Sequence, residues 1–250
     1  MLLKIILSFI LSNFLYGQLG YEIAHKVYSK DEVDDLTCIM KMKLINSKNK
    51  IKNYKMKSLS IDGSRKQIIW FMEPSHDKGI SFYKVEYEDR ENEMKMWLPA
   101  FKKIRRISSK KKGDSFMGSD LSYEDLSRRN LKDYTFKKLE DRYYNDKSYY
   151  IIEITPKEKT YSSYEKHISW VDKKSYNIIK EDSFGINGDI LKEKELFYKS
   201  FNGYELIEKV KVYNPISKHS TIIDFTEIEI NSDINERFFH EKYMKRIPNI

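Results

Sequence analysis

The sequence predicts a mainly β protein with one large antiparallel sheet. Apolar and polar residues alternate along short runs, most clearly at Leu36–Leu44, where every second residue is apolar. This alternation is typical of a strand with one buried face. Turn-forming pairs such as Asp62-Gly63 and Asn202-Gly203 recur roughly every ten residues, as in antiparallel sandwiches and barrels. The strand-like runs do not alternate with helical segments, which argues against a parallel sheet.

The same patterns place the individual elements. Strands are predicted at 36–44, 51–61, 65–72, 80–86, 94–98, 101–107, 134–139, 148–155, 165–171, 176–184, 190–198, 204–213 and 220–230. Helical patterns are few, and they cover 21–31, 121–129 and 234–244, the last with Ser232 or Asp233 as its cap. No repeat or Pro/Gly-rich linker interrupts the chain, so residues 18–250 are predicted to form a single domain.

Residues 1–17 have the pattern of a signal peptide. A basic residue, Lys4, precedes an apolar run that ends at a small residue, Gly17, and such a segment directs export and is then removed. A core strand or helix is the alternative for an apolar run of this length. The run is too short to span a membrane, and no cysteine lies near its end for acylation. We therefore expect a soluble periplasmic protein without a lipid anchor.

The net charge and the reactive side chains argue against a nucleic-acid-binding protein, a metal site and an enzyme. The formal charge is +8, which suggests an anionic partner, and export makes nucleic acid the least suitable one. The single cysteine, Cys38, lies on the apolar side of its run and is predicted to be a core residue. The five histidines lack metal-ligand spacing. Ser115 within a Gly-Asp-Ser sequence and His240 suggest an esterase only weakly, because the Asp expected three residues before the histidine is an arginine, Arg237. Neither enzymatic activity nor a cofactor is predicted.

A strongly basic run crosses residues 101–112, with seven Lys or Arg residues and no acid. One interpretation is a solvated sheet edge, where lysines prevent aggregation. The other is a surface that docks an acidic partner or anionic lipid, formed by Lys102, Lys103, Arg105 and Arg106. Alternation along a strand would send the two arginines to opposite faces.

The segment after the basic run combines apolar and small polar residues. Phe116 and Met117 appear exposed in the sequence, which suggests a mobile loop over 116–120 at the mouth of an apolar cavity. A loop that inserts its apolar groups into its own core is the alternative. Asp120 or Asp125 is expected to pair with an arginine of the basic run and to hold the loop closed.

An ordered series of motifs resembles the LolA-like outer-membrane lipoprotein-sorting proteins, in the branch associated with RND/MMPL-type exporters. The series consists of Phe71-Met-Glu-Pro74, Lys78-Gly-Ile-Ser-Phe82, Trp97-Leu-Pro-Ala100, Ile104-Arg-Arg-Ile107, Ser115-Phe-Met-Gly-Ser-Asp120 and Tyr123-Glu-Asp-Leu126, with Tyr164-Glu-Lys166 and Trp170-Val-Asp172 further on. The resemblance implies a half-open barrel, in which a strongly curved antiparallel sheet and two or three short helices surround an apolar cavity for acyl chains.

This resemblance also sets the expected partners. We expect a monomeric carrier that transfers a lipid or lipoprotein between envelope components. The alternative is a subunit that carries no cargo itself and docks on an RND-type exporter. An anionic membrane surface is a further candidate partner. The residues predicted to line the cavity are Met40, Met42, Trp70, Met72, Phe82, Met96 and Trp97.

Overall fold

The structure, a computed structural model, describes residues 17–30 and 32–248. The predicted signal peptide, residues 1–17, lies outside this range except for Gly17. It therefore stays a prediction. The described residues divide into two compact units. Unit 1 lies within Met1–Lys30 and Arg129–Leu196, and unit 2 lies within Asp31–Arg128 and Phe197–Ile250. The prediction of a single domain is left open.

Unit 2 contains eight complete strands. They are β1 (Asp35–Ile45), β2 (Ile51–Ile61), β3 (Lys66–Glu73), β4 (Ser81–Val85), β5 (Glu93–Leu98), β6 (Lys103–Arg106), β12 (Tyr204–Asn214) and β13 (His219–Ile230). Their order in the sheet is β6-β5-β4-β3-β2-β1-β13-β12. Strands β1 to β6 are adjacent in the sheet in the order in which they occur in the sequence, so they form a meander. Strand β13 pairs with the other edge of β1, and β12 pairs with β13.

Unit 1 combines one helix with a second meander. Residues 17–28 form helix α1, and the strands are β7 (Tyr134–Tyr144), β8 (Lys147–Pro156), β9 (Lys166–Asp172), β10 (Ile178–Phe184) and the first part of β11 (Ile190–Phe201). Helix α1 lies against the backbone of β7. A Cβ atom on Gly20 would be 2.7 Å from the backbone nitrogen of Lys138, so only glycine fits at this position.

The predicted fold class is confirmed: the described part of the protein is mainly β, and its 13 strands pair antiparallel within each unit. Every predicted strand is present. The hairpin at Asp62-Gly63 has positive φ at both residues, 54° and 60°, as tight hairpin turns require. Strand β7 runs beyond its predicted end because another such turn, Asn145-Asp146 (φ 47° and 58°), closes the hairpin later.

Two helix predictions need correction. In 121–129 only Glu124–Leu126 is helical, as one 3₁₀ turn. The chain becomes extended at Ser127, and the backbone N–H of Arg128 donates to Glu86 Oε1 over 3.1 Å instead of continuing a helix.

The prediction for 234–244 also needs correction. A 3₁₀ turn, Glu236–Phe238, and a short helix, α2 (Glu241–Met244), replace one helix. Asn235 and His240 cap them, not Ser232 or Asp233.

Unit 2 buries apolar side chains on both faces of its sheet. The methionine cluster contains Ile69, Phe71, Phe82 and Met96, while the tryptophan cluster contains Ile68, Trp70 and Tyr83, with Trp97 packed against it. Members of the two clusters alternate along β3, β4 and β5, so the clusters lie on opposite faces. Unit 1 has its own cluster between α1 and strands β7 to β9.

Candidate lipid-binding site

Four of the seven predicted cavity residues lie together in the methionine cluster: Met40, Met42, Phe82 and Met96. Their positions follow from the register of the sheet. Met40 pairs with Met56 across β1 and β2, and Phe82 pairs with Met96 across β4 and β5. All four side chains are nearly inaccessible to solvent. They form a continuous apolar surface on one face of unit 2.

Two of the other three predicted residues, Trp70 and Trp97, lie on the opposite face, and Met72 lies outside both clusters. Trp70 belongs to the tryptophan cluster, where its Nε1–H donates to the carbonyl of Tyr243 over 2.9 Å. Trp97 packs against the same cluster. Met72 is half-buried and belongs to neither cluster; it lies at a bulge, since Met56 pairs with Phe71 while Lys55 pairs with Glu73. The C-terminal segment covers this face, since Phe238, Phe239 and Met244 are part of the cluster. The seven residues therefore do not form one surface.

Sequence reasoning missed several members of the methionine cluster. Met56 and Met94 are completely buried there, together with Tyr54 and Phe71. Alternation with neighbouring apolar residues could have identified Met56 and Met94. Phe71 was harder to place, because Ile68 to Met72 is an unbroken apolar run that does not show which residues share a face.

The Phe116 loop, residues 115–122, closes the methionine cluster. The prediction of an exposed Phe116 was wrong, because its side chain is completely buried and its ring contacts Phe71, Phe82 and Tyr123 at centroid distances of 5.5–5.9 Å. Loop geometry forces this position. Met117 and Gly118 have positive φ, and the Phe116 N–H donates to the Leu121 carbonyl over 2.7 Å. Phe116 therefore occupies the space above the methionine face.

Asp120 anchors the loop to β13. Its carboxylate accepts a hydrogen bond of 2.7 Å from the Thr221 hydroxyl and lies 2.7 Å from His219 Nδ1, while its backbone N–H donates to Thr221 Oγ1. Among the described residues its partners are thus not arginines, contrary to the expected pairing with the basic run. Asp125 accepts from the N–H and hydroxyl of Ser122, both over 2.8 Å.

The basic run is shorter as a strand than predicted. Phe101 ends a 3₁₀ turn and Lys102 has φ 49°, so strand β6 begins only at Lys103. It lies at one end of the strand order, paired with β5. The alternation itself is present, since Ile104 packs against the tryptophan cluster and Ile107 lies in the methionine cluster.

Lys103, Arg105 and Arg106 are all exposed. Burial raises the pKa of Tyr123, and the positive charge of Arg105 opposes this rise. Because Tyr123 packs against the methionine cluster, this interaction places Arg105 near the covered apolar surface.

Cys38 is a core residue, as predicted, with 2% of its surface exposed. Burial raises the pKa of its thiol to about 12, although a hydrogen bond to Ser58 opposes the shift. A thiol of this kind is protonated at neutral pH and is a poor nucleophile.

Unit 1 contains a buried charge cluster that the sequence did not reveal. Glu181 accepts two hydrogen bonds of 2.7 and 2.8 Å from Arg129 and one of 2.7 Å from Ser169, and it lies 2.6 Å from Lys194 Nζ. Burial alone would raise the pKa of Glu181, but the charges of Arg129, Lys194 and His167 hold it well below its usual range. A carboxylate with three or more such partners stays ionised in the interior.

This fold and its covered apolar face define the class of protein. A domain from Vibrio parahaemolyticus assigned to outer membrane lipoprotein sorting is 28% identical and superposes with a TM-score of 0.86 over 92% of this chain and 100% of that one. A DUF1329 family protein from Desulfovibrio piger is 22% identical, with a TM-score of 0.86 over 92% and 99%. The protein therefore has the LolA-like fold of the outer-membrane lipoprotein-sorting proteins, as the sequence motifs predicted.

A further structural comparison agrees on the fold, and a family model matches most of the chain. A LolA superfamily protein from Nitrosomonas europaea is 17% identical, with a TM-score of 0.71 over 91% of this chain and 99% of that one. Residues 63–246 match the model of a family described as "Uncharacterized protein", and the chain belongs to this family. No curated protein sequence matches the chain. Among the described residues, no helix is both long and apolar enough to cross a membrane.

Proposed function

We propose that the protein is a periplasmic carrier that binds an acyl chain of a lipid or lipoprotein on the methionine face of unit 2 and transfers it between envelope components. The observation that carries this proposal is the concentration of methionine on that face. Of the nine methionines in the chain, five are buried in the methionine cluster and Met117 packs against it. Methionine is flexible and polarizable, and surfaces rich in it repack around apolar ligands of different shape.

The Phe116 loop explains how a filled cluster can accept a ligand. Phe116 belongs to a loop and not to a strand, so it can leave without breaking the sheet. Exposing a phenylalanine costs about 1.5–3 kcal/mol, while each buried CH₂ of a ligand contributes about 0.8 kcal/mol. A chain of about five or more methylenes would thus outweigh the loss of Phe116. In this proposal Phe116, Met117, Asp120 and Asp125 belong to a lid that an acyl chain displaces.

The side chains considered for catalysis have structural roles instead. Ser115 Oγ donates to the Ser119 carbonyl over 2.6 Å, which holds the Phe116 loop. His240 Nδ1 accepts from the Lys242 N–H and caps α2. These roles leave neither group arranged as a nucleophile and its base, which supports a carrier that does not act as an enzyme.

A displacement assay tests the carrier proposal. Delipidated protein should bind a fluorescent fatty acid or phospholipid probe saturably, and Met96→Gln should weaken binding at least about fivefold, because an amide in place of the thioether leaves polar groups in the site without partners. Met72→Gln, at a half-buried methionine outside the methionine cluster, is the control and should bind as the unmodified protein does. An absence of saturable binding would refute the carrier.

The alternative is an accessory subunit that docks on an RND-type exporter through β6. The observation in its favour is the exposed basic edge strand. Since the Ile107 N–H donates to the Met94 carbonyl, alternation turns the backbone groups of Ile104 and Arg106 away from β5. Those groups are available for pairing with an acidic strand of a partner.

Charge reversal tests the docking alternative. Lys103→Glu with Arg106→Glu should abolish binding to the periplasmic domain of an exporter without lowering the melting temperature, since both side chains are exposed. Binding should also fall as salt rises, because the screening length shrinks from about 10 Å at 0.1 M to about 3 Å at 1 M. Binding that survives both treatments would identify β6 as a solvated edge.

A further inference from the structure

Four turns meet at one end of the unit 2 sheet, which we call the basic end: residues 46–52, 73–79, 99–102 and 214–218. Ile45, the last residue of β1, pairs with both Ile51 and Ser220, which brings the first and last of these turns together. The other two follow along the sheet. Lys52 Nζ lies 3.2 Å from Asp77 Oδ2, and a Cβ atom on Gly79 would lie 3.4 Å from the ring of Pro99.

Each of three turns of the basic end exposes a large apolar side chain. Phe101 is 70% exposed, Ile216 is 64% exposed and Ile51 is 55% exposed. Buried apolar residues need no explanation, but several exposed ones at a single end of a sheet indicate a surface that contacts another apolar phase.

The basic end is also positively charged, whereas the hairpin turns at the opposite end of the same unit are acidic. It contains six lysines (Lys48, Lys50, Lys52, Lys78, Lys102 and Lys218) and two acids (Glu73 and Asp77). The opposite turns, 62–65, 86–92 and 231–235, contain six acids and two arginines. Among the described residues of those turns none is a large exposed apolar side chain. Lys110, Lys111 and Lys112 also lie toward this opposite end, because β6 leaves the sheet there. The two ends of unit 2 therefore differ in their exposed apolar side chains, and the basic end has an excess of four lysines over acids.

We propose that the basic end docks on an anionic lipid bilayer, with Phe101, Ile216 and Ile51 entering the headgroup region and the lysines contacting lipid phosphates. Apolar side chains and basic residues contribute jointly to this kind of interfacial binding. A bilayer fits better than a folded partner, because the three apolar side chains project from separate turns. A bilayer can accept each of them without a complementary shape.

The position of the Phe116 loop connects this surface to the proposed acyl site, and this part of the inference rests on the proposed function. Asp120 binds His219 and Thr221 at the start of β13, directly after the 214–218 turn. The Tyr54 hydroxyl, near the start of β2, donates to the Met117 carbonyl over 3.4 Å. The loop is thus held at the basic end, so docking would place the lid of the acyl site against the membrane.

Vesicle flotation tests docking without any acyl ligand. The full chain should bind vesicles of phosphatidylcholine with phosphatidylglycerol, and binding should fall at least about tenfold on vesicles of phosphatidylcholine alone or after Lys48→Glu with Lys50→Glu. Phe101→Ser with Ile216→Ser should reduce binding to a similar extent. Ile186→Ser, at an 87% exposed isoleucine of unit 1, is the matched control and should change nothing.

Three outcomes would overturn the inference. The first is that the protein does not bind anionic vesicles. The second is that the Phe101/Ile216 variant binds them as well as the unmodified protein does. The third is that vesicle binding depends on Lys103 and Arg106 of β6, while the exposed apolar side chains of the basic end have no effect. The last outcome would place the membrane contact on β6 and not on the basic end. A protein that docks on vesicles but fails the probe assay would retain the docking surface and lose the carrier function, so the two proposals fail separately.

Discussion

Replacing Arg129 by alanine should destabilise the fold by about 3–5 kcal/mol, since it leaves the carboxylate of Glu181 buried without its bidentate partner. Both side chains are largely buried, with 16% of Arg129 and 4% of Glu181 exposed. The neighbouring Arg128 provides a matched control. It also pairs with a glutamate, Glu32, but 25% and 36% of those side chains are exposed, and a pair at the surface contributes at most about 1 kcal/mol.

Urea unfolding of Arg129→Ala and Arg128→Ala measures this difference. The Arg129 variant should unfold at a clearly lower urea concentration with an unchanged slope, because the slope reports the surface exposed on unfolding. Equal effects of the two substitutions would show that the buried cluster has no special role in unit 1.

The same cluster predicts acid sensitivity. The pKa of Glu181 lies well below its usual range in the folded protein because Arg129, Lys194 and His167 outweigh the effect of burial. An unfolded chain has a glutamate pKa of about 4.3, so the unfolded state binds the proton more readily. The stabilisation is therefore complete above that pH and decreases as the pH falls toward the lower folded pKa. Glu181→Gln should be less stable at neutral pH and should lose less stability than the unmodified protein as the pH falls below the unfolded glutamate pKa of about 4.3.

Most strands could be predicted from the sequence because they bury at least one face, and a buried face produces an alternation of apolar and polar residues. The run Leu36–Leu44 shows this best, since its alternate residues Cys38, Met40, Met42 and Leu44 are all buried in one cluster. Alternation fails where both faces are buried. At Ile68 to Met72 it could not separate the Trp70 face from the Phe71 face, and this ambiguity divided the predicted lining residues between two surfaces.

The features that could not be predicted depend on contacts between residues that are far apart in the sequence. Glu181 and Arg129 are far apart in sequence, and only the fold brings the two charges together. The basic end likewise depends on which turns share one end of the sheet, because Ile51, Phe101 and Ile216 are scattered along the chain. The Phe116 loop looked like a mobile exposed segment because small polar residues surround its two apolar side chains. Its hydrogen bonds to β13 through Asp120 are not visible in sequence.

Replacing Phe116 by alanine should have opposite effects on stability and on ligand affinity. The empty protein should lose about 3–5 kcal/mol of stability, as is typical when a buried phenylalanine is truncated. Affinity for an acyl probe should rise by about 10–100-fold, because binding no longer has to expose an aromatic ring, at about 1.5–3 kcal/mol.

Phe71→Ala is the matched control for this experiment. Phe71 lies in the same cluster and is equally buried, but it belongs to β3 and stays in place when the loop moves. Its truncation should lower stability to a similar extent without a comparable gain in affinity, because the unmodified protein does not displace Phe71 on binding. Thermal unfolding and probe titration of both variants give the two quantities. If Phe116→Ala binds the probe no better than Phe71→Ala does, Phe116 is an ordinary core residue and the acyl chain must enter by another route.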